Sequence, residues 1–191
     1  MHAKVLIPLL LGFAFNSASA FTTAFSRWWG RPWGQLAVFM LRNVLGIPLW
    51  VIGFGLAVRS SSPQMFAASS VGKAVGWLLL GAGGVVQLLA IAALRLPAAR
   101  PSVDDALVSR GVYGHIRHPI YAGLMLEFAG SVLVQPRQAV VVAAIVGCVW
   151  AWVQARLEEL DLVQRMPEYR EYMTQVPRFL PRLAGKGPVR S

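Results

Sequence analysis

The chain has 191 residues, of which 56% are hydrophobic and only 14% charged, and its mean hydropathy is +0.55. That composition excludes an ordinary soluble domain, and the single cysteine, Cys148, excludes a disulfide framework or a cysteine-rich metal site. The formal charge of +10 comes from basic residues in loops beside apolar runs, so the expected partners are anionic membrane lipids and no nucleic acid.

Taken in chain order, residues 5–26 form the first uncharged run. They exceed the ~20 residues with which a helix spans ~30 Å of hydrocarbon. Lys4, the apolar stretch and the small residues before Phe21 also resemble a secretory signal with a cleavage site after Ala20. Residues 35–58 make a second span interrupted only by Arg42, and residues 74–95 a third. Within the third, "GAGG" at Gly81 to Gly84 follows no strand, so it reads as a close helix contact and not as a phosphate loop. The Pro-containing stretch 95–102 is a connector. Residues 119–134 and 138–155, separated by Gln135, Pro136 and Arg137, read as a tight helical hairpin. Its arms are short, so each helix is expected to continue into polar flanks or the bilayer to thin.

If all five cross, thirteen of the eighteen Lys and Arg gather on one side, which the positive-inside rule makes cytoplasmic. The N-terminus is then outside, and the first run is a retained helix. The expected fold is therefore all-α: an integral membrane bundle of about five transmembrane helices with a cytoplasmic interfacial C-terminal helix. It forms one domain over residues 1–191, and the compact size suggests a bacterial inner membrane.

Polar side chains inside spans are costly unless they meet one another or a wet cavity. Arg42 and Asn43 on the second helix, Gln87 on the third and Glu127 on the fourth fall at a comparable depth, on the order of 11 Å at 1.5 Å rise per residue. An Arg42 to Glu127 ion pair is the expectation. Helix glue, or an arginine snorkelling alone, is the competing reading.

At the start of the fourth span stands "LVSRGVYGHIRHPIYAG", residues 107–123. Pro119 suits a first helical turn. The free N–H groups of that turn, with Arg117, form a natural seat for an anion, and Tyr113 and Tyr121 add flat faces. His115 and His118 stand three apart without a third ligand, so no metal is expected, and His118 reads as a hydrogen-bond donor. As the fifth helix leaves the membrane, Leu157, Leu160 and Val163 make an apolar stripe. Gln154, Glu158 and Asp161 share the opposite, acidic face, with Asp161 able to pair with Arg165. The hairpin brings Glu158 toward His118 and Arg117. A carboxylate, a cation, free N–H groups and aromatic rings suit a zwitterionic, partly aromatic cofactor such as S-adenosylmethionine.

These residues, followed by "RLEELDL", "EYREY" and "VPRFLP", resemble the isoprenylcysteine carboxyl methyltransferase family, within the wider group of integral-membrane phospholipid-type methyltransferases. The likeness runs from about residue 105 to 182, with the cofactor motifs at 105–123 and 156–182. It implies a membrane enzyme that binds S-adenosylmethionine at its cytoplasmic face. The matching motifs imply that Leu107, Val108, Tyr113, His118, Pro119, Ile120, Tyr121 and Glu158 line the cofactor site, with Arg117 and Glu159 of the same motifs beside them. Members that methylate a prenylcysteine carboxylate carry an Arg where this chain has Gln154. Arg156, the nearest cation, points ~200° away on a helix. Arg42, Glu127 and Arg156 are the candidate catalytic residues on the substrate side. The expected function is S-adenosylmethionine-dependent methyl transfer to a lipophilic or membrane-delivered small substrate, with no obligate protein partner. The alternative is a non-catalytic membrane protein of the same fold that binds a lipid or nucleotide.

Overall fold

A computed structural model describes residues 2–94 and 102–182. The connector with Arg95 and Arg100, and the tail with Lys186 and Arg190, lie outside the described residues. Within them the named elements are all helical: α1 (His2–Ser19), α2 (Thr22–Trp29), α3 (Arg31–Phe39), a π turn (Met40–Gly46), α4 (Ile47–Arg59), α5 (Ser70–Leu94), a 3₁₀ turn (Gly111–Gly114), α6 (Pro119–Val134), α7 (Gln138–Arg165) and α8 (Tyr169–Gln175).

Three helical runs are long and apolar enough to cross a membrane: Arg31–Arg59, Ser70–Leu94 and Gln138–Arg165. A bent pair, Ala3–Ser19 with Thr22–Trp29, would make a fourth. Helix α6 begins and ends where the sequence places it, but its 16 residues reach only ~24 Å. The other arm of the hairpin does extend into its polar flank, since α7 runs ten residues beyond Ala155 to Arg165.

The first expected span, 5–26, is two helices and not one. The chain bends by 67° after Ser19. Two hydrogen bonds account for the break. The Ser19 hydroxyl donates to the Asn16 carbonyl at 2.6 Å, and the Thr23 N–H, one of the free donors at the start of α2, donates to Asp161 Oδ1 of α7 at 2.9 Å. Trp28, Trp29 and Trp33 are exposed around the α2–α3 junction, as in an interfacial aromatic belt.

Small residues set the helix crossings. A Cβ added at Gly83 would stand 2.5 Å from the Gly123 carbonyl oxygen, and one at Gly123 2.6 Å from that of Gly83, so α5 and α6 touch backbone to backbone. Within the glycine run of α5, Gly83 therefore serves packing, as its sequence context indicates. On the other side of the molecule α1 crosses the π turn just as closely: a Cβ at Gly46 would meet Asn16 Nδ2 at 2.5 Å. Phe13 stacks on Trp150 with ring centroids 4.3 Å apart, joining α1 to α7 in the main apolar core.

The α6–α7 turn is clasped by the loop after α4. Met65 N–H donates to the Pro136 carbonyl at 2.8 Å, and Arg137 Nη1 donates to the Ser60 carbonyl at 2.5 Å. This fixes the hairpin at one end and leaves the other, where α6 starts and α7 finishes, to form the site.

Candidate active site

Helix α6 starts at Pro119 because His118, just before it, takes an extended-side conformation (φ −122°, ψ 64°) and proline then opens the first turn. No side chain caps this turn. The strand-like approach is held by the chain beyond α8: Arg117 N–H donates to the Pro177 carbonyl at 2.9 Å and His118 N–H to the Arg178 carbonyl at 3.0 Å. The "RHP" and "VPRF" motifs, sixty residues apart, thus pair directly.

The two adjacent glutamates do different work. Glu159 is buried and takes ion pairs from four residues: Arg178 at 2.7 Å, Arg117 at 2.9 Å, and His118 and Arg156 at 3.3 Å. It lies past the apolar part of α7. Burial works against its charge, but hydrogen bonds from His118, Arg178 and Arg117 outweigh it and hold the carboxyl well below the usual range. Glu158, one position earlier, accepts a 2.5 Å hydrogen bond from the Tyr121 hydroxyl and lies 3.8 Å from His118 Nδ1. It retains partial exposure, and that exposed side faces a cavity.

The cavity lies at the open end of the hairpin, beside the segment that precedes the 3₁₀ turn. Leu107, Val108, Tyr113, Arg117, His118, Ile120, Tyr121 and Glu158 line it, as does Arg42. Eight of the ten residues expected around the cofactor therefore share one space. Pro119 and Glu159 stand behind this wall. Arg117 reaches the cavity with its charge already engaged: besides Glu159, its guanidinium donates to the Met173 carbonyl at 2.8 Å and to that of Val176. It braces the wall more than it seats an anion.

The substrate-side expectation divides. No ion pair joins Arg42 to Glu127. Glu127 lies on the α5–α6 contact beside Gln87, Gly83 and Gly84, away from the cavity. The polar residues expected at one depth go to separate places because the Gly83–Gly123 crossing turns Gln87 and Glu127 toward each other, while the π turn carries Arg42 to the cavity. Asn43 donates to the Phe39 carbonyl inside the π turn at 3.3 Å. Arg156 is half exposed and braces Glu159 from outside.

The acidic face of α7 is the reverse of a solvated one. Gln154, Glu159 and Asp161 are buried, while Leu160 is 56% exposed. Asp161 pairs with Arg165 at 3.3 Å, as its spacing indicates, and both line the cavity. Arg165 also reaches Asp105 at 3.5 Å and donates to the Ser102 carbonyl, so it ties the segment before the "GVY" turn across the cavity. Tyr169 and Tyr172 of "EYREY" complete the lining. The Tyr172 hydroxyl donates to the Tyr113 carbonyl at 2.6 Å. Burial pushes the phenols of Tyr113, Tyr169 and Tyr172 well above their ordinary range, so all three are neutral donors at neutral pH. Asp105, Asp161, Arg165 and these two tyrosines are among the lining residues that sequence reasoning did not single out for the site. The quoted "RLEELDL" motif was the available signal for Asp161, and "EYREY" for the two tyrosines.

An all-helical bundle with spans of membrane length and a polar cavity at one end is the framework of an integral-membrane enzyme. A family model described as phospholipid methyltransferase matches residues 71–167, just over half of the chain, and takes in both α6 with its preceding motif and the glutamate pair of α7. The chain belongs to the phospholipid methyltransferase family and is a methyltransferase. No curated protein and no solved structure matches it.

Proposed function

We propose that the protein transfers a methyl group from S-adenosylmethionine to a lipophilic or membrane-delivered small acceptor, at the cytoplasmic face to which the positive-inside count assigns this end of the bundle. The observation that carries the reading is the cavity formed where Tyr121 of α6 donates to Glu158 of α7.

The residues present fit the cofactor. Glu158 offers a carboxylate to an ammonium, and the Tyr113 and Tyr121 rings offer faces to a cation. The uncapped N–H groups at the start of α6 suit a carboxylate, while Leu107, Val108 and Ile120 supply apolar packing for a heterocycle. When bound, the cofactor supplies an activated methyl group on a sulfonium. Displacement there by an already nucleophilic acceptor needs alignment and charge stabilisation more than a strong base. The neutral tyrosines agree with that requirement. The ends of α1, α6 and α7, the π turn and residues 105–108 wall the cavity on several sides, which limits water there and strengthens polar contacts. Of the three substrate-side candidates we retain Arg42, because it alone lines the cavity.

The test is equilibrium binding of radiolabelled S-adenosylmethionine to the purified full chain in nanodiscs and in detergent. Saturable binding that Glu158→Gln or His118→Ala weakens by about tenfold or more is expected. Absence of binding by the wild type in both media would refute the proposal.

A further inference from the structure

Residues 27–33, "RWWGRPW", are exposed along their whole length. They form the tip of the α2–α3 hairpin, which turns at Gly30, where φ is +78° and a side chain would be strained. The hairpin is closely packed behind this tip. A Cβ at Gly34 would stand 2.6 Å from the Ser26 backbone, and Phe25 packs on Trp28 and Trp29 with ring centroids 6.0 and 5.2 Å apart. Large rings held in the open are unfavourable in water but suited to the boundary of a bilayer. The tip stands at that boundary, because the membrane-length run Arg31–Arg59 begins there and α1 bends by 67° into α2. Ser19, Ala20 and Thr22 at the base of the hairpin line the cavity, so tip and cavity share one side of the molecule.

The hairpin carries Arg27 and Arg31 at this level and no acidic residue of its own. Among the described residues no carboxylate lies within 4.0 Å of Arg27. Arg31 meets Asp104 at 3.1 Å, but the two side chains are 68% and 58% exposed, so the pair is weak and open to competition. Asp104 belongs to the segment 102–108, whose residues from Asp105 to Val108 line the cavity. Among the described residues the only backbone–backbone hydrogen bond of this segment is internal, from Asp105 N–H to the Ser102 carbonyl at 3.4 Å. Side chains hold it in place: Arg165 of α7, and on α3 Arg31 together with Gln35, whose Nε2 donates to Ser102 Oγ at 2.6 Å.

We infer that the α2–α3 tip is a docking site for an anionic phospholipid of the leaflet on the cavity's side, and that the lipid headgroup competes with Asp104 for Arg31. The headgroup phosphate accepts N–H donors from Arg27 and Arg31, while Trp28, Trp29 and Trp33 sit among headgroups and upper acyl chains. A lipid on Arg31 removes one of the α3 ties on residues 102–108. Leaflet charge thereby loosens the segment that walls the cavity. The site lies outside residues 71–167, which the family model matches, and does not depend on what the cavity binds.

The experiment titrates phosphatidylglycerol and phosphatidylcholine with identical acyl chains into the full chain in detergent and reads bound lipid by native mass spectrometry. The wild type is expected to prefer phosphatidylglycerol. Arg27→Gln and Arg31→Gln are each expected to weaken its binding about fivefold, and Asp104→Asn, which frees Arg31, to strengthen it about twofold or more. A gain in affinity separates competition from bracing, because losing a brace does not tighten a ligand. Hydrogen exchange in nanodiscs reads the tie to the cavity. Amides of residues 103–108 in the wild type are expected to exchange about two- to fivefold faster with phosphatidylglycerol present than in phosphatidylcholine alone, and in Arg31→Gln to exchange equally fast in both. Equal wild-type affinity for the two lipids gives the tip to the bilayer at large or to a protein partner, and overturns the site. So does an undiminished preference in the Arg27→Gln, Arg31→Gln double variant with a wild-type thermal midpoint. Affinity unchanged by Asp104→Asn, or wild-type exchange that ignores phosphatidylglycerol, overturns the competition for Arg31.

Discussion

Glu159→Gln and Glu158→Gln change neighbouring positions by the same atoms, yet the structure assigns them opposite consequences. At Glu159 the amide removes the negative charge from beneath four cationic or hydrogen-bonding partners. Arg156 is 51% exposed and returns to water at little cost, and Arg178 does so in part. Arg117 cannot, because its side chain is 9% exposed and pinned to the Met173 and Val176 carbonyls. Leaving one buried charge unpaired costs about 3–5 kcal/mol. The lower end applies here, since those carbonyls remain, giving a loss of about 3 kcal/mol. For a chain of this size that is a fall in thermal midpoint of roughly 6–12 °C.

Glu158→Gln removes no buried ion pair of comparable closeness, so its midpoint is expected within about 2 °C of wild type, with cofactor binding weakened about tenfold or more. Intrinsic tryptophan fluorescence during heating in nanodiscs reads the midpoints, and labelled cofactor reads the binding. The pH dependence supplies an independent sign. The Glu159 pKa is depressed by folding, so its stabilisation is complete above the unfolded value of ~4.3 and declines as pH falls below it. The gap between wild type and Glu159→Gln should therefore be constant from neutral pH to about 5 and narrow in stronger acid. A midpoint for Glu159→Gln no lower than that of Glu158→Gln would refute the division of roles.

Asp161→Ala removes the acceptor of the Thr23 N–H and the partner of Arg165, and should cost about 1–2 kcal/mol. Amide hydrogen exchange should accelerate in α2 while the apolar part of α7 stays protected. Gly123→Leu forces α5 from α6 where a Cβ already meets backbone at 2.6 Å; a loss of at least 1–3 kcal/mol, on the order typical of overpacking, should appear as a lower midpoint. Tyr121→Phe deletes the hydroxyl that orients Glu158 and should weaken labelled-cofactor binding roughly tenfold with an unchanged midpoint.

The parts of the fold legible in the sequence are those governed by local chemistry. Pro119 and the polar Gln135 to Arg137 turn bracket α6, and uncharged runs locate α4, α5 and the membrane part of α7. The break after Ser19 was not legible, because its cause is the Asp161 carboxylate, far along the chain and on another helix. Residues 19–22 look like continuous helix until that partner is known. What the polar side of α7 packs against was not legible for a related reason. Helical period correctly groups Gln154, Glu158 and Asp161, but period alone does not say whether a polar face meets water or protein. Here it meets α1, α2 and the cavity: Gln154 Nε2 donates to the Asn16 carbonyl at 3.3 Å, and Leu160 takes the exposed side instead.

The same limit applies to the division of work within the glutamate pair. Consecutive helical residues project ~100° apart. One carboxylate of the pair can therefore face the cavity only if the other faces the segment packed behind it, which here is the chain carrying Arg117 and Arg178. His118 stands between them, 3.8 Å from one carboxylate and 3.3 Å from the other. The clamp at Glu159 thus sets the position of the wall against which Glu158 works. A change in the clamp must reach the cavity through His118 and the start of α6 before it reaches any ligand. Conversely, a ligand that draws Glu158 away from Tyr121 alters only the exposed half of the pair. The fold therefore permits a ligand-contacting carboxylate to move while the charge cluster that holds α6, α7 and the chain beyond α8 together stays intact.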